Sequence, residues 1–385
     1  MKIVLAPDSF KESLSAALAA EALERGVRRA APDCRIEKIP IADGGEGTVE
    51  TLVLATGGEF VEQKVTGPLG ARPGDAATTA RYGMLGGRSP KTAVIEMAAA
   101  SGLPLVPPEK RNPLLTTTYG TGELIRSALD HDAGEIVIGI GGSATVDGGA
   151  GMAQALGVRL LDADGNELPF GGGALGRLDR IAMPRLDKRI SGAKIEVACD
   201  VQNPLVGENG AARIYGPQKG ATREMVRALD ANLAHFADIV ARDLGVRIAD
   251  MPGAGAAGGL GAGLVAFLGA RLRPGFDIVA DIVGLDARLR DADLVITGEG
   301  RMDAQAVFGK APVGIARRAK KLGLPVIAIV GSLGEGWEKV LDHGIDACFS
   351  IVPGPMPPAD AMRNAPALIE RCAEQVVRLF IAKRV

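Results

Sequence analysis

The chain has 385 residues, of which 47% are apolar and 23% are charged, and its formal net charge is −2. This composition is typical of a globular protein with a full hydrophobic core, and the length predicts two or three domains. The small net charge and the 3% of aromatic residues argue against nucleic-acid binding. The four cysteines are scattered without a Cys-x-x-Cys pair, which argues against a disulfide framework or a zinc site and predicts a cytoplasmic location.

Both ends of the chain alternate predicted strands with predicted helices. Residues 2–27 predict a strand, a polar turn and a helix, and Ser9 and Glu12 have the spacing of a capping box at the helix start. The next segment repeats this scheme, although Pro40 indicates that its strand ends there or lies at a sheet edge. After residue 290, strands again alternate with helices up to a closing helix at 359–383. This alternation predicts parallel βαβ units.

The middle of the chain has a different pattern, with short strand-like runs broken by Gly, Pro and turn residues. Such runs predict an antiparallel or mixed sheet. We therefore predict an α/β protein in which a Rossmann-like domain with a doubly wound parallel sheet carries an inserted second α/β domain with a mixed sheet. Residues 1–60 plus 290–385 form the first domain in this prediction, and residues 61–289 form the second. The insertion creates an interdomain cleft, where we expect the active site.

Residues 251–270 carry no charge over about the length of a membrane-spanning helix. Gly and Ala dominate the segment and drive membrane insertion poorly, so we predict a buried loop that leads into a core helix, and no membrane association. The same segment contains GAGAAG, residues 253–258, which matches the dinucleotide pattern G-x-G-x-x-G. That pattern must follow a strand, and the preceding RIADMPG with Pro252 is a poor one, which argues against an NAD site.

Polar, glycine-rich turns follow apolar runs at many places along the chain. Successive backbone N–H groups in such turns can converge on one anion, and a following helix adds its dipole. Their number predicts an anionic, phosphorylated ligand. The Walker A pattern is absent, because Gly309 and Lys310 are followed by Ala311, and the protein-kinase motifs are absent too. The turns are APDSFK, ADGGEGT, NPLLTTTYGTGE, GIGGSATVDGGAG, CDVQNPLVG, YGPQKGA, PGAGAAGGLGAG and TGEGRMDAQAVFGK.

These turns contain the residue types that phosphoryl transfer needs. Lysines can contact phosphate oxygens, carboxylates can hold Mg²⁺, and one carboxylate can accept the proton of the acceptor hydroxyl. Arg301 could pair with a substrate carboxylate. For each residue alone, a solvated turn position or a helix cap is an equally simple explanation. The candidate phosphate contacts are Lys11, Lys219 and Lys310, and the candidate metal ligands or bases are Asp8, Asp43, Glu46, Asp147, Asp200, Glu299 and Asp303.

Seven motifs together resemble the bacterial type 1 glycerate kinases, in the same order from residue 3 to beyond Ser332. The resemblance implies a Rossmann-like domain with an inserted α/β domain and a site between them. It also implies ATP- and Mg²⁺-dependent phosphorylation of D-glycerate, with 2-phosphoglycerate as the expected product. The motifs are APDSFKESLSA, DGGEGT, GIGGSATVDGGAGMAQALG, NPLVG, GPQKGA, GAGAAGGLGAG and GEGRMDAQAVFGKAP.

The resemblance assigns roles to individual positions. Lys11, Asp200 and Asp303 are the expected catalytic residues, and Asp200 and Asp303 are also the expected Mg²⁺ ligands. Two positions depart from the family pattern: Val146 stands where Asn is usual, and Gln202 where Thr is usual. The expected substrate-binding or phosphate-binding residues are Asp8, Ser9, Asp43, Gly44, Glu46, Gly141, Gly142, Ser143, Asn203, Lys219, Glu299, Arg301 and Lys310.

Two other functions stay open at this point. An NAD-dependent hydroxy-acid dehydrogenase would use GAGAAG, and a non-catalytic sugar-acid-binding protein would bind its ligand without turnover. The sequence leaves open which hydroxyl is phosphorylated, which carboxylate is the base and which is the metal ligand, and which domain holds the adenine. It also leaves open the oligomeric state, for which a homodimer is one option.

Overall fold

The computed structural model describes residues 1–70, 77–307 and 309–382. The chain divides into two compact units, of which unit 1 is Met1–Ala55 with Gly275–Val385 and unit 2 is Thr56–Pro274. The domain organisation predicted from the sequence, with borders near residues 60 and 290 and an active site in the cleft, stays a prediction.

Strands and short-to-medium helices alternate through both units. The strands are β1 (Lys2–Pro7), β2 (Arg35–Lys38), β3 (Glu59–Val65), β4 (Thr78–Met84), β5 (Thr92–Glu96), β6 (Glu135–Gly139), β7 (Arg159–Leu161), β8 (Arg180–Ala182), β9 (Lys194–Ala198), β10 (Arg271–Arg273), β11 (Leu294–Gly298), β12 (Arg301–Met302), β13 (Val326–Val330), β14 (Ser332–Leu333) and β15 (Ala347–Ser350). The helices are α1 (Ala16–Ala30), α2 (Thr48–Thr56), α3 (Ala98–Ser101), α4 (Tyr119–Asp130), α5 (Ala150–Ala155), α6 (Ala211–Tyr215), α7 (Arg223–Leu244), α8 (Ala256–Leu268), α9 (Gly275–Ile282), α10 (Leu285–Arg288), α11 (Ala311–Lys320), α12 (Pro358–Arg363) and α13 (Ala365–Ala382).

Unit 1 is built on a parallel sheet with the strand order β15-β13-β11-β1-β2. If the five strands of this sheet are renumbered 1 to 5 in chain order, their order across the sheet, read from the β2 edge, is 2-1-3-4-5. This is one of the two common doubly wound arrangements. Ile3 and Leu5 pack on one face with α1 and α13, while α11 packs against β1, β11 and β13. Side chains of a strand alternate between faces, so the intervening Val4 points away from Ile3 and Leu5. The prediction of a doubly wound parallel sheet is confirmed.

The start of α1 differs from the prediction. The helix begins at Ala16, and its N-cap is Ser15, whose Oγ accepts a hydrogen bond from the backbone N–H of Leu18 at 3.4 Å. Ser9 and Glu12 instead lie in the turn before the helix, where Glu12 has a φ of +64°. The predicted capping box was therefore wrong, because a second serine follows closer to the first buried helical residues.

Unit 2 contains a six-stranded sheet with the order β10-β9-β6-β5-β4-β3. Strands β5, β6, β9 and β10 pair in parallel, whereas β3, β4 and β5 pair antiparallel, so the sheet is mixed as predicted. The carboxyl ends of β5, β6 and β9 lie at one edge of this sheet, because these strands run in the same direction. Within the described part of the chain, no helix is long and apolar enough to cross a membrane.

The glycines of GAGAAGG serve close backbone packing. Helix α8 is interrupted at its start, where Gly258 has a φ of +70° and accepts a hydrogen bond from the N–H of Gly148 at 3.1 Å. A Cβ at Gly258 would overlap the carbonyl of Thr145, and one at Gly259 would lie 2.8 Å from the Cα of Gly148. No strand is described in residues 245–252, so GAGAAG lacks the strand that a dinucleotide loop requires. The predicted buried loop and core helix are confirmed.

This packing predicts a large difference between two alanine substitutions in α8. Gly258→Ala should lower the free energy of unfolding by about 3 kcal/mol or more, because a left-handed backbone angle and a steric overlap both oppose the methyl group. Gly269→Ala, at the C-terminal cap of α8, is the matched control: Gly269 has a similar φ of +65°, but among the described residues beyond its own stretch of chain no atom lies within 4 Å of the added Cβ. It should cost about 1–2 kcal/mol. Thermal unfolding measures both, and equal shifts would contradict the steric argument.

Candidate functional site

A cavity of about 500 Å³ lies in unit 1 at the carboxyl ends of its parallel strands. Asp8 follows β1, Glu299 follows β11, Ser332 follows β13 and Ile351 follows β15, and all four residues line the cavity. Strands β1 and β11 are neighbours in the sheet. The strand after β1 lies toward one edge of the sheet, and the strands after β11 lie toward the other edge. Ligands of doubly wound proteins bind at such a switch point. The polar wall is formed by Asp8, Lys11, Asp43, Glu299, Arg301 and Lys310.

Asp8 is a buried carboxyl group, and the residue is only 8% exposed. Burial raises the pKa of Asp8 to about 7, and the negative charges of Asp43 and Glu299 contribute to this rise. The N–H of Ser9 donates to Asp8 Oδ1 at 2.6 Å, and this bond and the charge of Lys11 oppose the rise only in part. Asp8 can therefore exchange a proton near neutral pH.

Glu299 is buried beside Asp8 and has one engaged and one free oxygen. Lys310 Nζ lies 3.0 Å from Glu299 Oε2 and 3.4 Å from the carbonyl oxygen of Arg301. Glu299 Oε1 has no hydrogen-bond partner among the described residues. Burial raises the pKa of Glu299, the ion pair with Lys310 opposes this, and Asp303 and Asp43 add to the rise. A buried acceptor without a partner is costly, so this oxygen is available to a ligand.

Arg301 and Asp303 pair with each other beside the cavity. Arg301 Nε lies 3.6 Å from Asp303 Oδ2, and the Arg301 side chain is 68% exposed. Asp303 Oδ1 accepts a hydrogen bond from the N–H of Gln305 at 3.0 Å, at the start of the 3₁₀ turn 304–307. Arg301 lines the cavity, and Asp303 is not among the described residues that do.

The two N-terminal turns supply the remaining polar groups of unit 1. Ser9 lines the cavity, and Lys11 is exposed in the turn that precedes α1. Asp43 Oδ1 accepts a hydrogen bond from the N–H of Gly45 at 3.0 Å, and Gly44 has a φ of +92° in the same turn. Glu46 lines an adjoining surface depression together with Ser9 and Lys11. The structure thus brings together most of the unit 1 residues that the sequence singled out.

In unit 2, a buried lysine supports the glycine-rich loop that follows β6. Gly141 and Gly142 are exposed, whereas Ser143 is buried. Lys219 Nζ donates to Ser143 Oγ at 2.6 Å and to the carbonyl oxygen of Thr145 at 2.7 Å. Burial lowers the pKa of Lys219 to about 7, although the charge of Asp147 favours its protonated form. Lys219 therefore contacts the inner side of the loop.

Asp147 is fully buried and forms hydrogen bonds within unit 2. Its Oδ2 accepts from the N–H and the hydroxyl of Thr118, both at 2.8 Å, and from the N–H of Gly151 at 3.3 Å. Its Oδ1 accepts from the N–H of Gly149 at 3.2 Å. Burial raises the pKa of Asp147, and these four donors oppose the rise. The carboxylate ties the start of α4 to the start of α5.

Asp200 and Asn203 follow β9, at the same sheet edge as the glycine-rich loop. Asp200 is exposed. Asn203 donates to the carbonyl oxygen of Asn209 at 2.9 Å and accepts from the hydroxyl of Tyr215 at 2.7 Å, so its side chain holds the following loop. Of the two departures from the family pattern, Val146 is buried in the core and Gln202 is exposed.

Comparison with known proteins gives a consistent answer. The sequence model of the Glycerate kinase family matches residues 3–381. The chain belongs to this family.

Relatives of known name resemble the chain over nearly its whole length. A glycerate kinase of Halalkalibacterium halodurans is 57% identical over 97% of both chains. A glycerate 2-kinase of Escherichia coli K12 is 56% identical over 91% of both chains. A solved structure described as a glycerate kinase 2 of Salmonella typhimurium LT2 superposes with a TM-score of 0.91 at 53% identity, covering 100% of this chain and 99% of the other. The resemblance seen in the motifs is confirmed, and so is the prediction of an enzyme, a kinase of this family.

The sequence analysis of this kinase did not identify the residues on one side of the cavity. Phe10, Ser332, Ile351 and Val352 line it but were not singled out. A signal was present, because the last two predicted strands also end at the carboxyl edge of a parallel sheet, where ligands bind. Those strand ends carry few charged residues, and the search for charged turns passed over them.

The raised pKa of Asp8 predicts a pH-dependent cost in stability. The folded protein binds this proton more tightly than the unfolded chain, whose Asp pKa is 3.8. The contribution of Asp8 to the free energy of unfolding is therefore largest below about pH 4 and decreases as the pH rises to about 7. Asp8→Asn should gain thermal stability relative to wild type as the pH rises over that range.

Ser9→Ala is the matched control, because it keeps both the carboxyl of Asp8 and the backbone N–H that bonds it. Its unfolding temperature should follow that of wild type at every pH. A difference between Asp8→Asn and wild type that stays constant between about pH 5 and 8 would show that Asp8 titrates in the ordinary range of a carboxyl group.

Proposed function

We propose that this chain transfers the γ-phosphoryl group of ATP to the 2-hydroxyl of D-glycerate in the presence of Mg²⁺, giving ADP and 2-phosphoglycerate. Membership of the glycerate kinase family supports the acceptor, and the Escherichia coli relative named glycerate 2-kinase supports the position. The observation that carries the proposal is the unit 1 cavity at the switch point, in which three carboxyl groups, including the buried one of Asp8, lie with three cationic side chains.

Three cationic side chains in this cavity support an anionic acceptor and an anionic donor. Glycerate has one carboxylate and two hydroxyls. Arg301, with its exposed guanidinium, can pair with that carboxylate through two hydrogen bonds. Lys11 and Lys310 are placed to neutralise phosphate oxygens, and catalysis would then depend mainly on positioning and charge stabilisation.

We propose Asp8 as the group that accepts the proton of the attacking hydroxyl, in place of Asp303 or Asp200. Asp8 lines the cavity and is held by the N–H of Ser9, and a pKa near 7 suits a general base at neutral pH. Asp303 has one oxygen on the Gln305 N–H and the other near Arg301. Asp200 belongs to the other unit.

The described residues contain no group of three His, Cys, Asp or Glu side chains arranged to hold a metal ion by themselves. Mg²⁺ in kinases is commonly held by one or two carboxylates together with substrate phosphates and water. The buried, unpartnered Oε1 of Glu299 fits that kind of site, and we propose Glu299 as a ligand. Bound Mg²⁺ would neutralise phosphate oxygens. Asp200 and Asp303 stay predicted ligands.

The glycine-rich loop of unit 2 supports a second anion contact. Gly141 and Gly142 are exposed at the carboxyl end of β6, and apart from its chain neighbours no described residue has an atom within 4 Å of a Cβ added at Gly141. Successive glycine N–H groups bind phosphates and carboxylates in many proteins. We propose that this loop contacts an anionic group of a substrate and that Lys219 holds it in shape from below through Ser143 and Thr145.

The two alternative functions have less support. The dehydrogenase would need GAGAAG as a dinucleotide loop, and its glycines instead allow close packing within unit 2. Gly258 packs against Thr145, and Gly255 packs against Pro204. A non-catalytic sugar-acid-binding protein would use the same cavity, but it does not agree with membership of a kinase family. We also propose a cytoplasmic location, which the four free cysteines support.

The proposed reaction predicts ADP release that depends on D-glycerate. The measurement uses purified protein with Mg-ATP, with and without D-glycerate, followed by proton-coupled phosphorus NMR of the product. Phosphate on carbon 2 couples through three bonds to the one proton on that carbon and should give a doublet, whereas phosphate on carbon 3 couples to two protons and should give a triplet. Glycerate binding without ADP release would overturn the kinase proposal, and a triplet would overturn the position.

The proposed base predicts a ranking of three variants. Asp8→Asn should lower kcat by about 10²–10⁴-fold, because the hydroxyl loses its proton acceptor. Its KM for D-glycerate should change less, since Asn keeps the size and the hydrogen bonding of the side chain. Asp303→Asn and Asp200→Asn should keep more activity than Asp8→Asn. Near-wild-type turnover in Asp8→Asn, with a 100-fold loss in either of the others, would restore the assignment made from the sequence.

A further inference from the structure

The unit 1 cavity has a second half whose chemistry differs from that of the polar wall. This half is formed by the two residues after β15, helix α12 and Phe10 in the turn after β1. None of its described lining residues carries a charge. The side chains are those of Phe10, Ile351, Val352, Pro358, Ala361 and Met362.

Contacts between the two ends of unit 1 hold this apolar half in place. Ser13 Oγ donates to the carbonyl oxygen of Met362 at 2.8 Å, which joins the turn after β1 to α12. Phe10 exchanges two backbone hydrogen bonds with Leu14, and its ring is buried with 3% exposure. Phe10 lies between Ser9 and Lys11 in the chain, and all three line the cavity, so the apolar and polar halves are continuous.

The acceptor does not account for the apolar half. Glycerate is a three-carbon molecule whose surface is almost entirely carboxylate and hydroxyl, and an uncharged aliphatic and aromatic wall would leave its polar groups without partners. The phosphate donor does have a part that fits, because a purine base presents two flat faces of low polarity. A cavity of about 500 Å³ is within the range of small-molecule sites, which are mostly apolar with a few placed polar groups.

We propose that the apolar half of this cavity holds the purine base of the phosphate donor, with the phosphate chain extending toward Lys11 and Lys310. The proposal rests on the proposed function, because it presupposes a nucleotide as donor. It places the base between α12 and the residues that follow β15, and it assigns the last part of the chain to nucleotide binding.

Unit 2 offers a competing location. A depression of about 520 Å³ there has an apolar lining that includes Leu114, Leu115 and Phe170, with Arg177 at its side. It has no carboxylate among its described lining residues, and Leu115 is 44% exposed. The two locations are lined by different residues of the chain, so they give different experimental results.

Photo-labelling locates the base directly. The full chain is irradiated with Mg²⁺ and 2-azido-ATP, which carries its reactive group on the purine, and the modified peptides are identified by mass spectrometry. We expect labelling within residues 351–365, prevented by excess ADP and not by D-glycerate. Labelling within residues 114–115 or 169–177 would overturn the proposal, as would labelling of 351–365 that ADP does not prevent.

The affinity of two variants for an ATP analogue tests the same proposal without photo-labelling. Ala361→Phe should fill the apolar half and weaken binding of a non-hydrolysable ATP analogue at least 10-fold by calorimetry, with an unchanged unfolding temperature. Leu115→Phe in the unit 2 depression is the matched control and should bind the analogue as wild type does. Full affinity in Ala361→Phe, or loss of affinity only in Leu115→Phe, would overturn the proposal.

These outcomes are separable from failure of the proposed function. Labelling of 351–365 without glycerate-dependent ADP release would keep the nucleotide site and reject the acceptor. Glycerate-dependent ADP release with labelling in unit 2 would keep the reaction and reject the assigned location of the base.

Discussion

The parallel pairing of β1 with β11 is the interaction on which the candidate site depends. The register joins Ala6 to Thr297 and Pro7 to Gly298, and the ladder continues by one bond from the N–H of Asp8 to the carbonyl of Gly298 at 2.8 Å. Thr297 Oγ1 also donates to the carbonyl of Ala6 at 2.8 Å. The two strands are nearly 300 residues apart in the chain, yet they end side by side. A shift of one residue would turn every side chain of β1 to the opposite face of the sheet. Asp8 and Glu299 meet at the cavity because this register holds.

The same arrangement creates an electrostatic cost that a ligand can relieve. Asp8 follows a fully buried strand and is itself buried, and it lies near the negative charges of Asp43 and Glu299. Lys310 offsets the charge of Glu299 only through one oxygen. Cationic or hydrogen-bond-donating ligand groups would therefore bind where the protein itself is least satisfied. The buried charged groups of unit 2 differ in this respect, because Lys219 and Asp147 form hydrogen bonds with other residues of the protein. The buried charges of unit 2 are thus held by internal hydrogen bonds, whereas Glu299 in unit 1 keeps one oxygen that can bind a ligand.

Much of the fold and many of the site residues could be predicted from the sequence, but their contacts could not. Alternating apolar runs and turns were sufficient for a doubly wound sheet, and the charged turns after the strands were sufficient to find Asp8, Glu299 and Lys310. Residue types and spacing do not show which atoms are already engaged. Lys219 was predicted to contact phosphate. In the structure it is buried beneath a loop, where Ser143 Oγ and the carbonyl oxygen of Thr145 accept its hydrogen bonds. The glycines near residue 258 matched a nucleotide pattern and instead allow two backbones to approach. Both outcomes depend on partners that lie far away in the chain.

The discontinuity of unit 1 explains why its cavity has two kinds of wall. The N-terminal turns and the residues after β11 contribute the carboxylates and lysines, whereas the residues after β15 and helix α12 contribute the apolar side chains other than Phe10. The strand order places β15 at the far edge from β2, so the apolar wall is built by the part of the sheet most distant from Asp43. This separation avoids an energetic cost, because a charged group in the apolar half would lose its hydration without gaining a hydrogen-bond or ion-pair partner. A site with this polarity suits a ligand that is itself charged at one end and flat and uncharged at the other. The polarity therefore follows from sheet topology, and the chemistry of each wall follows from the residues that end each strand.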